Sequence, residues 1–331
     1  MILTVCLSST LQKTVTFNKV SLTHVNRSTS YRLDASGKAV NTARVLDMLE
    51  PGVSLSLCPL GKENADLFLK LAEQDKLAVK TVMVPGFTRE CLTLLDSTNH
   101  ETTEIVVGEP ALDFDREKAE QEFMEILQKA LSEGTDPQLK QEGTDPYGKE
   151  GTDPQVDKAV QAVVLAGSRP AMWSEDFQAR ISKVVVDAGV TLLADFCGKD
   201  LLRTLELCTP QIIKINEEEF CSTFGYEFPL PEDKLRLLIS EKSKELKNVI
   251  VITRGTEETY AARNGVFYSH PVEKVVPVNT TACGDTFNAG FIYEYLKTLN
   301  ETGKADIQSA LSKGTWCAAR NAESEVPGTI R

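Results

Sequence analysis

Short runs of β-branched and leucine residues recur along the chain at 2–7, 53–57, 79–84, 162–166, 190–194, 211–214 and 249–253. Such short, largely apolar runs predict strands buried on both faces of a sheet. Between many of them the apolar positions fall three to four apart, as at Val40, Ala43, Leu46 and Leu49, or at Phe123, Ile126, Leu127 and Leu131. That is the spacing of helices with one buried stripe. Alternation of the two patterns predicts an α/β fold, with a mostly parallel central sheet covered by helices on both faces.

Two stretches break the rhythm. Residues 14–33 and 87–107 alternate polar and apolar positions and are rich in β-branched side chains. This pattern predicts a small separate sheet, which in an α/β enzyme can act as a lid. A third stretch is low in complexity: Glu-Gly-Thr-Asp-Pro occurs at 133–137, 142–146 and 150–154. Its glycine, proline and acidic content cannot build a core, so 133–154 is expected to be a solvated acidic loop and not a domain boundary.

Composition narrows the range of partners. The chain has 331 residues, enough for one large α/β domain or two smaller ones, and 48 acidic against 36 basic side chains give a net charge of −12. No broad basic face is expected, which argues against nucleic acid, so an anionic ligand must meet a local cluster of Lys and Arg. The eight cysteines include no Cys-x-x-Cys pair and are joined by only three histidines, a poor basis for structural zinc. Neither a secretory signal nor a membrane-spanning run is evident, and the expectation is a cytoplasmic protein with reduced thiols.

The most specific chemical signal runs from Asn279 to Gly290, where a small-residue turn, Thr281-Ala282-Cys283-Gly284, opens onto an apolar helical pattern at Phe287, Phe291, Ile292 and Tyr295. Successive amides at a helix start can hold a phosphoryl group, and Asp285 just inside can accept a hydroxyl proton. An ordinary helix with an acidic first turn would carry the same residues. A second turn, Ser36-Gly37-Lys38, presents Lys38 and Asn41 from another helix start: a point charge for a phosphate and an amide for a sugar hydroxyl.

Together these segments resemble the two signatures of the PfkB carbohydrate kinase family, Asp/Asn-Thr-x-Gly-Ala-Gly-Asp and Gly-Gly-Lys-Gly-x-Asn-x-Ala. The likeness extends to Arg27, Arg89, Thr103-Glu104-Ile105, Asp195-x-x-Gly198, Lys214-x-Asn216-x-x-Glu219 and Thr253-x-Gly255. It implies a single ribokinase-like domain over 1–331, three-layered, with ATP and Mg2+ as cofactors and a homodimer formed through the lid. It also implies Asp285 as catalytic base, with Ala282, Cys283 and Gly284 as the anion hole. Gln12, Arg27, Gly37, Lys38, Asn41 and Arg89 would face the substrate. Lys214, Asn216, Thr253, Gly255 and Gly284 would face the nucleotide, and Asn216 with Glu219 would order magnesium waters. For that last pair an acidic helix start is an equally simple account.

The cationic positions Arg27, Lys38 and Arg89 look closest to the phosphosugar branch, that of 1-phosphofructokinase and tagatose-6-phosphate kinase. The expected reaction is therefore transfer of the ATP γ-phosphate to a phosphorylated ketohexose, fructose 1-phosphate or tagatose 6-phosphate. Departures cluster on the sugar side: Gln12 where that branch has Asp, Ala39 and Ala282 for glycines, Cys91 and Val106 for asparagines. They keep open a catalytically weak or inactive binder of sugar phosphate or nucleotide. A ribokinase-like enzyme for a free sugar or nucleoside is the third reading, since it would not need the three cations together.

Overall fold

The computed structural model describes residues 1–99, 101–108, 113–133 and 159–330; the acidic repeat beyond Glu133 lies outside them. Strand β1 (Ile2–Val5) leads into β2 (Thr10–Phe17) and β3 (Tyr31–Ser36), after which α1 (Lys38–Leu49) returns to β4 (Ser54–Gly61). Next come α2 (Ala65–Gln74), β5 (Val79–Val84), the pair β6 (Glu90–Asp96) and β7 (Glu101–Val107), and α3 (Arg116–Glu133). Beyond the repeat, β8 (Ala162–Ala166), α4 (Phe177–Asp187), β9 (Thr191–Asp195), α5 (Gly198–Leu207) and β10 (Ile212–Asn216) alternate. Helices α6 (Glu217–Phe224) and α7 (Glu232–Leu246) precede β11 (Val249–Thr253), β12 (Thr259–Arg263) and β13 (Val266–His270), and α8 (Cys283–Thr302) and α9 (Ile307–Ala322) follow.

The large sheet has the order β13-β12-β11-β10-β9-β8-β1-β4-β5. From β11 to β5 every pairing is parallel; β12 and β13 add an antiparallel edge. Its strands are apolar on both sides because both sides are covered. Leu3, Val163 and Leu165 join Phe123, Trp173 and Phe177 of one helical layer, whereas Ile2, Ala162 and Val164 join Phe287, Phe291 and Leu311 of the other. The expected mostly parallel, three-layer α/β architecture is what the chain adopts. No described helix is long and apolar enough to cross a membrane.

The small sheet has the order β3-β2-β6-β7, with β2 and β6 parallel inside two antiparallel pairs. Its strands reach from Thr10 to Ser36, wider than the 14–33 stretch read from alternation, and residues 18–30 form no strand. Thr10, Leu11 and Gln12 are all buried, so the strand start shows no alternation to read.

This sheet is rooted beside β1, where the chain passes to β4 on one side and later crosses back, after β5, to β8 on the other. Such a switch point opens a crevice at the carboxyl ends of the strands. The root is tight: the Gly61 N–H donates to the Thr88 hydroxyl at 2.9 Å, and the Asn64 side chain bonds the Thr88 N–H and carbonyl at 2.7 and 3.1 Å. A Cβ on Gly61 would overlap the Phe87 carbonyl carbon and the Thr88 nitrogen, both backbone atoms with no rotamer to yield. Gly61→Ala should therefore cost about 1–3 kcal/mol, as overpacked sites do. Urea denaturation checks it, and an unchanged midpoint would show that the crossing relaxes freely.

Candidate active site

Three segments converge above the switch point. A cleft of about 310 Å³ is lined by Gln12, Arg89, Cys91, Glu104 and Val106 of the small sheet and its root, by Gly37, Lys38 and Asn41 at the start of α1, and by Thr280 to Asp285 at the start of α8. A hollow of about 440 Å³ between Glu50, Tyr293 and Asn300 lies at the opposite, amino ends of the strands and contains none of the motif residues.

Ala282 is the N-cap of α8 and adopts the left-handed conformation, φ 65° and ψ 9°, which directs the following amides toward the cleft. The Cys283 N–H bonds the Thr280 carbonyl at 3.3 Å. Among the described residues the Ala282 and Gly284 amides have no internal acceptor, so these two remain for an anion. Thr281 adds a link across the cleft, its hydroxyl donating to Glu104 of β7 at 2.9 Å.

Asp285 sits in the first turn of α8, buried, and its Oδ2 accepts from Asn41 Nδ2 at 2.9 Å. The Asn41 amide cannot turn round, because its Oδ1 already accepts from Ser36 Oγ at 2.9 Å and Arg44 Nη1 at 3.1 Å. Burial raises the Asp285 carboxyl to about 6, with Asp195 adding repulsion while Lys38, Asn41 and Lys214 pull against it. A carboxylate so tuned is ionised at neutral pH yet takes a proton more readily than a surface aspartate.

Beneath it lies a second buried carboxylate. Asp195, at the carboxyl end of β9, holds Lys38 Nζ at 3.5 Å on Oδ2 and Lys214 Nζ at 3.5 Å on Oδ1, and Asn288 Nδ2 donates to Oδ2 at 2.8 Å. Burial opposes its charge, but Lys214 and Lys38 outweigh that cost and hold the carboxyl below its ordinary value. Asp195 in turn leads the raising of the Lys38 pKa, with Asp285 and Glu219 adding to it.

The model of pfkB family carbohydrate kinases matches residues 1–134 and 153–329. The chain belongs to the pfkB family. Solved structures with the same fold include a possible 1-phosphofructokinase from Thermotoga maritima, 18% identical over 98% of this chain and 92% of that one, TM-score 0.78. Phosphofructokinase-2 from Escherichia coli, crystallised with substrates and products, is 17% identical over 97% and 92%, TM-score 0.77. At such identities the likeness is one of fold; the family match makes this a carbohydrate kinase.

Within this pfkB chain the expected site residues divide into three groups. Gly37, Lys38, Asn41, Arg89, Gln12 and the 282–285 turn do meet in the cleft. Several of them are engaged by other protein groups: Lys38 pairs with Asp195, Asn41 holds Asp285, and Gln12 Nε2 donates to Thr93 Oγ1 within the small sheet. Arg89 Nε reaches Thr10 Oγ1 at 2.9 Å.

The residues expected to face the nucleotide, Lys214, Asn216 and Thr253, stand at the ends of β10 and β11, where Asn216 and Thr253 are register partners, and Gly255 follows with φ 62°. Asn216 and Glu219 form a reciprocal capping box at the start of α6, each side chain bonding the other's amide at 2.8 Å. This is the helix-start arrangement, and it leaves Glu219 Oε1 uncommitted among the described hydrogen bonds.

Arg27 is the exception. It lies in the 18–30 loop and lines a separate hollow with Phe17, Asn18 and Asn26, not the cleft of its own chain. Sequence reasoning gave no chemical role to Asp195, Glu104 or Asn288. A hint existed for two of them: Asp195 ends an apolar strand run, and Asn288 follows Asp285 by three positions on one helix.

Ala282 pays a backbone penalty, since left-handed geometry costs an L-residue roughly 1–2 kcal/mol. Part of this returns when glycine loosens the unfolded chain, so Ala282→Gly should stabilise by about 0.5–1 kcal/mol. Thermal denaturation reads it, and a lower melting point would mean that the methyl group packs usefully.

Proposed function

We propose that this carbohydrate kinase transfers the γ-phosphoryl group of ATP to a hydroxyl of a phosphorylated ketohexose, with fructose 1-phosphate and tagatose 6-phosphate as the leading candidates. The observation that carries it is a buried base, Asp285, in a cleft that also holds Lys38 and Arg89, in a chain whose net charge is −12. A free sugar brings no charge for that cationic pair to meet, whereas a dianion gains from each charge-assisted contact in a partly desolvated cleft.

In this reading Asp285 takes the proton of the attacking hydroxyl as its oxygen bonds to phosphorus, and the Ala282 and Gly284 amides at the start of α8 hold charge on the transferring group. Lys214 acts from below: a Cβ on Gly284 would lie only 3.1 Å from its ammonium. Glu219, half committed to its helix cap, would hold magnesium through its free carboxylate oxygen, and the ion would supply charge screening for the nucleotide phosphates. A homodimer through the small sheet, whose edge strand β7 exposes Ile105, Val106 and Val107, and a cytoplasmic setting suited to eight free thiols, belong to the same proposal.

One observation favours the weak or inactive alternative. Gln12 donates into its own sheet, so the lid offers no carboxylate at position 12 to accept sugar hydroxyls. A coupled ADP-release screen against free and phosphorylated hexoses separates the readings: turnover of a sugar phosphate supports the kinase, and none at all supports the binder.

Two expectations follow from the geometry. Asp285→Asn should lower turnover by roughly a hundredfold to ten-thousandfold with nucleotide affinity retained. Because the base works ionised and its pKa is raised, wild-type kcat/KM should fall as pH drops through about 6. Near-normal turnover of the variant, or a flat profile through that range, refutes the assignment. Separately, Arg89→Ala should raise the KM for sugar phosphate about tenfold or more while moving that for ATP little. Equal losses for both ligands, or efficient phosphorylation of free hexoses by the wild type, would favour the free-sugar enzyme.

A further inference from the structure

We propose that Glu104, on strand β7 of the small sheet, is the residue that accepts the hydroxyls of the sugar and so selects among ketohexose phosphates. The inference rests on the kinase reading above and deepens it, from the class of substrate to the side chain that reads its hydroxyls.

A sugar brings several hydroxyl donors, and each one taken out of water needs an acceptor. The cleft has few to give. Asn41 Oδ1 already accepts from Ser36 and Arg44, and the Thr10 hydroxyl accepts from Arg89. Gln12 has its amide turned to Thr93. Asp285 is taken, in the proposed mechanism, by the hydroxyl that attacks. Glu104 is the other carboxylate among the described residues that line the cleft. It is exposed, and its Oε1 accepts from the Thr281 hydroxyl at 2.9 Å. Among the described hydrogen bonds and ion pairs its Oε2 has no partner. An ionised carboxylate only accepts, with lone pairs on both oxygens, so most of the capacity of Glu104 remains for a ligand.

The place of this acceptor is set from two sides. Glu104 is the register partner of Thr93 on β6, while Gln12 and Val106 are both partners of Cys91. Residues directly opposite, and residues two apart on one strand, share a face of a sheet, so these side chains all belong to the face that lines the cleft. From across the cleft the Thr281 hydroxyl orients the carboxylate, one residue before the left-handed Ala282. Glu104 is thereby held beside the amides assigned to the transferring phosphoryl group, where it meets the hydroxyls that neighbour the attacking one.

Charge completes the assignment. Thr93, opposite Glu104, lies four residues beyond Arg89 in sequence, roughly 13 Å at the usual strand rise. The substrate's own phosphate, repelled by Glu104 and drawn by Arg89, goes to the root of the small sheet, and the hydroxyls go outward to β7. A sugar whose hydroxyl there is missing or inverted leaves the carboxylate without its donor, and that loss is the source of selection.

The test is a cycle between residue and hydroxyl: wild type and Glu104→Ala, each with fructose 1-phosphate and tagatose 6-phosphate and with their 3-deoxy and 4-deoxy analogues. In wild type one analogue should show a KM raised about tenfold or more; Glu104→Ala should show the same rise for the parent sugar phosphate and no further loss for that analogue. The KM for ATP should stay within about twofold. Additive losses for both analogues would reduce Glu104 to a brace for the Thr281 turn and overturn the proposal, as would an unchanged KM for sugar phosphate or a matching rise for ATP. Calorimetry supplies a readout that needs no turnover: Glu104→Ala should bind inorganic phosphate at least as well as wild type, having lost a carboxylate, yet bind the sugar phosphates more weakly. Weaker binding of both would mean that the side chain supports the cleft and does not read the sugar. If wild type binds sugar phosphates without turning them over, the kinase reading fails and the calorimetric cycle still decides Glu104. If it takes only free hexoses, the phosphosugar reading fails and the same cycle runs on deoxyhexoses; if it binds no hexose in either form, both fall.

Discussion

A carboxylate enclosed by protein keeps its charge only if fixed partners replace the water it gave up. For Asp285 the closest of these is Asn41, 244 residues earlier in the chain, with Lys38 and Lys214 acting at longer range. That one hydrogen bond demands much of the fold. It requires α1 and α8 to lie side by side on one face of the large sheet, which Val45, Leu46, Phe287 and Phe291 secure by packing in a common core. It also requires an Asn41 amide that cannot turn round, which Ser36 and the buried Arg44 enforce. The apolar layer and the polar network are thus two parts of a single constraint.

Much of the architecture was legible because its physics is local. Runs such as 162–166 and 249–253 are apolar enough to be strands and too short to be core helices, and both coincide with observed strands. The small sheet was legible from alternation, except where β2 begins buried at Thr10. The contacts of Asp195 were not legible, because Lys38, Lys214 and Asn288 lie 157, 19 and 93 residues away in sequence. No periodicity marks a carboxylate whose meaning comes from three distant elements.

Asn216 and Glu219 teach a different lesson. An Asn-x-x-Glu spacing at a helix start serves a capping box and a water-ordering pair equally well, since both need the two side chains on one turn. The structure shows the first and leaves an oxygen for the second. Arg27 lies apart from the cleft for a different reason: it sits in a loop without strand or helix, so its position along the chain said little about where it would lie.

The roots of the small sheet carry a mechanical consequence. Arg89 and Thr10 are bonded to each other, and the Leu11 N–H bonds the Arg89 carbonyl at 2.9 Å, just where Gly61 and Asn64 clamp the neighbouring Thr88 to the body of the protein. Any tilt of the sheet must pivot about this line. Points beside a pivot travel little, while points at the far edge sweep a wide arc, so a swing about it would carry Phe17 and Asp96 far and leave the guanidinium of Arg89 near its station. A sheet hinged there would keep its anchoring charge in place whatever its far edge did.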